Sequence, residues 1–357
     1  MTRDSLLKAG KGYIFNANAA TTLVFPSTSE SRNQLFNHEE KSIPLQAYPT
    51  DVTANKNWNF IGNAYPSYYD SRYLDFTAPI TVWNLSNNTY TAISMTDDKY
   101  AIKPFEGFFV QKPEDITQMT FLKGGRQISS VLSVTGPAGA PHKVPATTDR
   151  LLINLSLSDD QVSDRTRIVI NPAATLIYEL ERDASKFFSN DPTVPQFYSL
   201  DSEGTSYAIN ERPVSLGWVP LGFSAGTAGT YRIQKVENSS PELLQLMLED
   251  KLTSRFADLT QATYTFTSDS GTFNDRFILR ITSVATGTLL PGATEVIRGE
   301  KGKVTIVAET GKTFRVYSLN GILIRTVTTE NTATEISLPS GIYLIRSNAD
   351  THKTVVF

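Results

Sequence analysis

Carboxylates are the side chains in this sequence whose type and number come nearest to a catalytic set. Glycoside hydrolysis needs only two of them, facing each other across a substrate. The middle of the chain carries eight candidates: Asp159, Asp160, Asp164, Glu179, Glu181, Asp183, Glu249 and Asp250. Most Asp residues here stand beside Ser, Gly or Asn, where Asx-turns account for them. We therefore predict no catalytic residue and expect a protein that is not an enzyme.

The residue content also limits metal binding and thiol chemistry. The segment 269–275 offers oxygen ligands for calcium, but the spacing and closing Glu of an EF-hand are missing, so turns explain it better. The chain has no Cys and three His residues, His38, His142 and His352. A thiol nucleophile, a disulfide and a zinc–thiolate centre are excluded. No cofactor and no metal site is predicted.

Composition indicates a folded protein of two to three domains. The chain has 357 residues, of which 40% are hydrophobic and 19% are charged. The net charge of −3 does not indicate a basic surface for binding nucleic acid. The sequence contains no run of about 18 apolar residues, so no transmembrane segment is predicted. The start lacks an apolar signal-peptide core, and Gly10–Tyr13 already has strand character, so we expect the chain to continue a longer precursor.

The elements that must position these residues are strands. Runs rich in Val, Ile, Thr, Tyr and Phe alternate with clusters of turn residues. In Leu151–Leu157 every second residue is apolar, which is the period of a half-buried strand. We predict an all-β protein of tandem antiparallel β-sandwich domains, jelly-roll or Ig-like in type, with a small Ig-like sandwich at the C-terminus. Segment 179–188 could form a turn or two of helix, and Leu244–Leu248 is expected to be a strand.

The chain divides into three segments by composition. Residues 131–149 are rich in Pro and Gly, with little to bury, and are predicted to be a linker. The domains are therefore expected at 1–130, 150–283 and 286–357.

The first domain is unusually aromatic. Residues 58–109 include Trp58, Phe60, Tyr65, Tyr68, Tyr69, Tyr73, Phe76, Trp83, Tyr90, Tyr100, Phe105, Phe108 and Phe109. Core packing is one explanation, since aromatic side chains bury large areas. The other is an exposed platform for a sugar or a partner protein. Tyr68, Tyr69 and Tyr73 are the candidates for such a platform, because their Pro/Ser/Asp-containing loop is expected to be exposed.

The C-terminal segment contains the most specific pattern. Asn320-Gly321 stands between two apolar runs, and this dipeptide predicts a two-residue hairpin whose central residues need positive φ. Leu338-Pro339-Ser340-Gly341 then makes a turn before Ile342-Tyr343-Leu344-Ile345, and a last strand includes Lys353.

This order of hairpin, L-P-x-G-I-Y step and terminal strand resembles the C-terminal sorting domain of the type IX (Por) secretion system of Bacteroidetes. The resemblance covers about the last 70 residues and implies a sorting motif composed of Asn320, Gly321, Leu338, Pro339, Gly341, Ile342, Tyr343 and Lys353. It also implies the type IX machinery as partner and a location that is secreted or on the outer-membrane surface, reached via the periplasm.

The two upstream domains are similar to segments that recur in Bacteroidetes surface proteins, including the W-N-x-x-G-N-x-Y-P-S run from Trp58. That similarity implies a structural or interactive role. Two functions stay open: a structural or adhesive scaffold, and a carbohydrate-binding surface protein that uses the aromatic-rich loop. A glycan or a host or neighbour surface protein would then be a further partner.

Overall fold

The structure is a computed structural model that describes residues 10–14, 19, 22, 39–132, 150–171, 173–213, 218–236, 244–283, 295–300, 302–318, 321–331, 333–339, 341–347 and 351–356. Within these ranges the regular structure is β-strand, apart from three single 3-10 turns at Thr53–Asn55, Ser71–Tyr73 and Lys123–Gly125. Every strand pairing described below is antiparallel, which confirms the predicted all-β class. The same ranges contain no helix with the length and apolar character needed to span a membrane.

The described strands fall into three groups along the chain. Ten precede the predicted linker: β1 (Lys41–Pro44), β2 (Trp58–Gly62), β3 (Tyr68–Asp70), β4 (Leu74–Asp75), β5 (Ile80–Asn84), β6 (Thr89–Ile93), β7 (Ala101–Ile102), β8 (Gly107–Gln111), β9 (Gln118–Phe121) and β10 (Arg126–Gln127). Eleven follow it: β11 (Leu151–Ser158), β12 (Ser163–Ile170), β13 (Ala184–Ser185), β14 (Gln196–Leu200), β15 (Ser206–Arg212), β16 (Trp218–Ala225), β17 (Gly229–Lys235), β18 (Leu244–Asp250), β19 (Arg255–Asp258), β20 (Tyr264–Ser268) and β21 (Gly271–Ser283). Seven complete the chain: β22 (Glu295–Glu300), β23 (Lys303–Ala308), β24 (Thr313–Ser318), β25 (Leu323–Thr328), β26 (Ala333–Ser337), β27 (Gly341–Arg346) and β28 (Thr351–Val356).

The chain forms two compact units. The first comprises residues 1–147, 177–194 and 205–210. Its sheets have the strand orders β1-β9-β4, β10-β3-β7 and β2-β8-β5-β6, and β13 pairs with β15. All three sheets contribute to one core, for example through Met119, Tyr69 and Phe108, each of which is fully buried.

The second unit comprises residues 148–176, 195–204 and 211–357. In β11 the apolar residues Leu151, Ile153, Leu155 and Leu157 are buried, as their alternation predicts. β11 lies between β12 and β17, and β21 lies between β16 and β18. Segment 244–250 is a strand, which confirms the prediction for Leu244–Leu248.

Residues 295–356 form a smaller sandwich within the second unit, here called the C-terminal sandwich. One of its sheets has the order β22-β23-β26 and the other has the order β25-β24-β27-β28. Their inner faces share a core that includes Val304, Ile306, Phe314, Val316 and Ile345. This arrangement agrees with the predicted small sandwich at the C-terminus.

The prediction of helix in 179–188 is wrong. The Asp183 carboxylate accepts a hydrogen bond from the backbone N–H of Glu179 at 2.7 Å, and the Asp183 N–H returns one to the Glu179 carbonyl at 2.7 Å. This closes a single turn, after which Ala184 and Ser185 extend as β13. A short acidic side chain that bonds to a nearby backbone N–H competes with helix formation, which explains the difference.

The predicted domain boundaries stay predictions. Nearly all of the proposed linker, residues 133–149, lies outside the described residues, as do His38, His142 and Asn320. Residues 177–194 and 205–210 belong to the first compact unit although they follow the linker in sequence.

Candidate functional site

The tyrosines proposed as a ligand platform lie in different environments. Tyr69 is 0% exposed and Tyr73 is 5% exposed, whereas Tyr68 is half-buried. The Tyr69 hydroxyl lies 2.8 Å from the Leu122 carbonyl oxygen and 2.9 Å from that of Tyr73, and its ring packs on Phe121 at 4.9 Å. Burial raises the pKa of the Tyr69 phenol well above its usual value. The expectation of an exposed loop is therefore wrong for Tyr69 and Tyr73.

A buried ion pair explains why this loop folds inward. Asp70 accepts a hydrogen bond from the Arg72 backbone N–H at 3.1 Å and pairs with the Arg72 guanidinium at 2.7 Å. Asp70 thereby caps the 3-10 turn at Ser71–Tyr73 and positions Tyr73 against the core. Hydrogen bonding to Asp70 raises the pKa of Arg72, which keeps this buried arginine charged.

A second set of aromatic side chains lies on the sheet face that points away from this core. We call it the outer aromatic face, and all of its members are half-buried: Trp58, Phe60, Trp83, Tyr90 and Phe109 from the sheet, and Phe187, which follows β13 and packs on them. Ring centroids are 4.6 Å apart for Phe60 and Phe109, 4.7 Å for Trp83 and Tyr90, and 4.6 Å for Trp58 and Phe187. Their edge-to-face and tilted geometries are those that aromatic pairs prefer.

Strand periodicity creates this face. Successive side chains of a strand point to opposite sides, so in β8 Phe108 enters the core and Phe109 joins the outer aromatic face. In β2, Ile61 likewise enters the core and Phe60 joins the outer aromatic face. Gly12 lies against Phe60, since a Cβ at this position would come within 2.4 Å of the ring. Eleven of the thirteen aromatic residues in 58–109 thus belong to the core or to the outer aromatic face. The alternation of Trp58 and Phe60 is the sequence signal that could have located the outer face.

The structure places most of the proposed sorting motif at one corner of the C-terminal sandwich. Leu338 is buried in the shared core, and the buried Tyr343 donates a hydrogen bond from its hydroxyl to the Pro339 carbonyl at 2.8 Å. A tyrosine that bonds back to the backbone a few residues upstream fixes a corner in many β-sandwiches. Gly341 and Ile342 begin β27.

Other residues of the motif lie elsewhere. Gly321 has φ of +79° between β24 and β25, which confirms the left-handed conformation predicted for this hairpin glycine. The prediction of a two-residue loop is wrong, because the Ser318 N–H donates to the Ile322 carbonyl at 2.9 Å and closes a loop of three residues. Lys353 stands in β28, opposite Leu344 in register.

Two of the carboxylates considered for catalysis, Asp250 and Glu249, form ion pairs with arginines. Asp250 is fully buried and forms two hydrogen bonds with Arg276, at 3.1 and 2.9 Å, and accepts one from the Tyr264 hydroxyl at 2.9 Å. Burial raises the pKa of Asp250, but these hydrogen bonds and the arginine charge outweigh it, so the pKa lies below its usual value. Glu249 pairs with Arg280 on the same two strands.

Three further carboxylates, those of Asp159, Asp164 and Asp183, accept hydrogen bonds from backbone N–H groups. Asp164 accepts a hydrogen bond from the Phe197 N–H at 2.7 Å, and Asp159 accepts one from the Val162 N–H at 2.8 Å. Within the described ranges, no group of three or more Asp, Glu or His side chains could hold a metal ion.

The sequence belongs to a family known as a domain of unknown function, DUF8693, whose profile matches residues 68–281, more than half of the chain. The match includes most of the outer aromatic face and excludes the C-terminal sandwich. A search of curated proteins finds no match.

A comparison with solved structures finds similarity to one described as "Biofilm associated protein - BSP domain". The sequence identity is 11% and the TM-score is 0.15, over 89% of this chain and 62% of that chain. This chain thus spans less than two thirds of that structure's length, and at this TM-score the similarity carries no argument about function.

Proposed function

We propose that this chain is a non-catalytic region of a secreted or cell-surface protein, that it serves as a structural or adhesive scaffold, and that residues 286–357 are a sorting domain for the type IX secretion machinery of Bacteroidetes. The route would run via the periplasm to the outer-membrane surface or the medium.

The observation that supports this proposal is the corner formed by Leu338, Pro339 and Tyr343. Leu338 and Tyr343, two of the residues that carry the resemblance to sorting domains, belong to the core shared by the two sheets of the C-terminal sandwich, and Tyr343 bonds to Pro339, a third. A partner that recognises this domain would therefore recognise a folded surface that depends on the motif.

The test is a reporter protein fused to residues 286–357, with a signal peptide for passage across the inner membrane. In a host with the type IX machinery we expect the reporter outside the cell, and in the same host without that machinery we expect it in the periplasm. A reporter that stays in the periplasm of both strains contradicts the sorting role. The reporter without residues 286–357 is the matched control.

A second proposed function is carbohydrate binding by the outer aromatic face. Trp83 and Tyr90 support it, because they remain half-buried at the end of the β5–β6 hairpin, beside the exposed Leu85 and the polar Asn84. A flat ring suits the apolar face of a sugar, and neighbouring amides can bind its hydroxyls. This surface replaces the buried Tyr69 and Tyr73 as the candidate platform.

A glycan array separates the two functions. We expect Trp83→Ala to weaken binding about tenfold or more, and Tyr68→Ala, outside the outer aromatic face, to leave it unchanged. If the intact chain binds no glycan, the carbohydrate proposal fails while the scaffold proposal stands.

A further inference from the structure

The C-terminal sandwich separates charge between its two sheets. The strands β24, β25, β27 and β28 contain no Asp or Glu, and they contain Arg315, Arg325, Arg346 and Lys353. The acidic residues in the strands of the other sheet have cationic or imidazole partners: Glu300 with Arg298 and Lys303, Glu335 with Lys303, and Glu295 with His352. Negative charge is thus neutralised on one sheet, and positive charge accumulates on the other.

The arginines of the basic sheet are exposed on two faces: Arg315 and Arg346 share the outer face, whereas Arg325 of the edge strand stands opposite Val316 in register and so faces the other side. Arg315 and Arg346 stand directly opposite each other in the β24–β27 register. Like charges at such positions are destabilising, since the Cβ atoms are only about 5 Å apart. Among the described residues, no ion pair joins Arg315, Arg325 or Arg346 to a carboxylate. The outer face of this sheet therefore carries positive charge that the strands themselves do not balance.

The outermost strand of the same sheet is open. β25 ends the strand order, and every residue from Gly321 to Thr326 is exposed. Ile322, Leu323 and Ile324 are 66%, 51% and 46% exposed. An edge strand directs alternate N–H and C=O groups away from its sheet, where another strand can bind them. At the opposite edge, His352 of β28 instead contacts Glu295 of β22 at 2.9 Å.

Charge decides which strand fits this edge. A second copy of the chain would join two sheets whose strands contain basic residues and no Asp or Glu, and like charges across an interface are unfavourable. An acidic segment would instead place carboxylates where the Arg325 guanidinium can bind them in bidentate geometry. Its apolar side chains, on the other side of the added strand, would cover Leu323, which stands opposite Tyr317 in register. The field of Arg315 and Arg346 would speed its approach.

We propose that the β25 edge of the C-terminal sandwich is a docking site for an extended acidic segment of a partner protein, which adds to the sheet as a further antiparallel or parallel strand. This inference rests on the C-terminal sandwich alone and does not require the sorting role.

The test uses the full chain and a fluorescein-labelled peptide of alternating Glu and Val, measured by fluorescence anisotropy. A peptide with Lys in place of Glu is the control ligand. Arg325→Glu is expected to weaken binding of the acidic peptide about fivefold or more, with stronger loss at high salt. Arg255→Glu is the matched control, because Arg255 is an exposed arginine on another edge strand, β19.

Hydrogen exchange locates the contact. On binding the acidic peptide we expect slower exchange in residues 321–328 and no change in β19. Several results would overturn the proposal: no saturable binding, equal binding of the Lys peptide, an equal loss in Arg255→Glu, or protection outside β25. Self-association through β25 without peptide binding would show that a second copy is the occupant, and binding only to anionic lipid vesicles would show a membrane contact instead.

Discussion

Replacing Arg276 by Met is expected to destabilise the second compact unit strongly. Arg276 is 6% exposed and Asp250 is 0% exposed. The arginine also donates to the Thr267 carbonyl at 3.0 Å and stacks over Phe266 at 4.5 Å. Removing one partner of a buried ion pair leaves an uncompensated charge and costs about 3–5 kcal/mol. Met keeps much of the apolar stem, so the loss reflects the charge rather than a cavity.

The chain supplies a matched control on the same strands. Arg280 of β21 pairs with Glu249 of β18, but these side chains are 22% and 14% exposed. Water reaches this pair, and Arg280→Met is expected to cost about 1 kcal/mol. Urea denaturation followed by circular dichroism measures the loss of stability in both variants. With an m-value of about 2 kcal/mol/M, the midpoint should fall by about 2 M for Arg276→Met. Equal losses in the two variants would refute the argument from burial.

The pH dependence provides an independent check. In the wild type the pKa of Asp250 is lowered on folding, so this group stabilises the fold above its unfolded pKa of about 4. That contribution is lost as the pH falls through the lower folded value. In Arg276→Met no arginine offsets the cost of burying the Asp250 charge, so protonation of Asp250 stabilises the folded state. The difference in unfolding free energy should therefore shrink between about pH 7 and pH 4, and a constant difference would contradict this account.

Three further outcomes are expected. Gly125→Ala should lower stability by about 1–3 kcal/mol in thermal denaturation, because a Cβ there would come within 2.3 Å of the Tyr69 ring; Gly229→Ala, with nothing within 4 Å, should change it by less than about 0.5 kcal/mol. Tyr343→Phe should cost about 1 kcal/mol through the lost bond to Pro339, and an unchanged melting temperature would show that this bond does not hold the corner. Burial raises the pKa values of Tyr69, Tyr100 and Tyr178. Their contribution to stability is therefore complete below the unfolded pKa of about 10 and is lost as the pH rises above it. Tyrosinate absorbance should consequently be smaller in the folded chain than in urea at about pH 11, whereas identical titrations would contradict the burial of these phenols.

Local patterns in the sequence predict much of the fold. The alternation in Leu151–Leu157 specifies a strand because only one period places all four apolar residues in the core, and Gly321 specifies the hairpin because few residues accept its φ. The wrong helix prediction for 179–188 has a local cause, the Asp183 turn, whereas the other differences concern tertiary contacts. Whether Tyr69 lies in a loop or a core depends on Phe121 and Leu122, which are distant in sequence. The pair Asp250–Arg276 likewise depends on the register of β18 and β21, which no local signal defines.

The interleaving of residues 177–194 and 205–210 with the second compact unit has a consequence for synthesis. Proteins emerge from the ribosome N-terminus first, and domains generally fold as units in that order. Here the first unit lacks two of its segments until residue 210 has been translated. The β13–β15 pairing, Ala184 with Ile209, cannot form earlier. A ribosome stalled after the linker would therefore hold an incomplete unit, and limited proteolysis of stalled chains should show protection of the first unit only beyond that point.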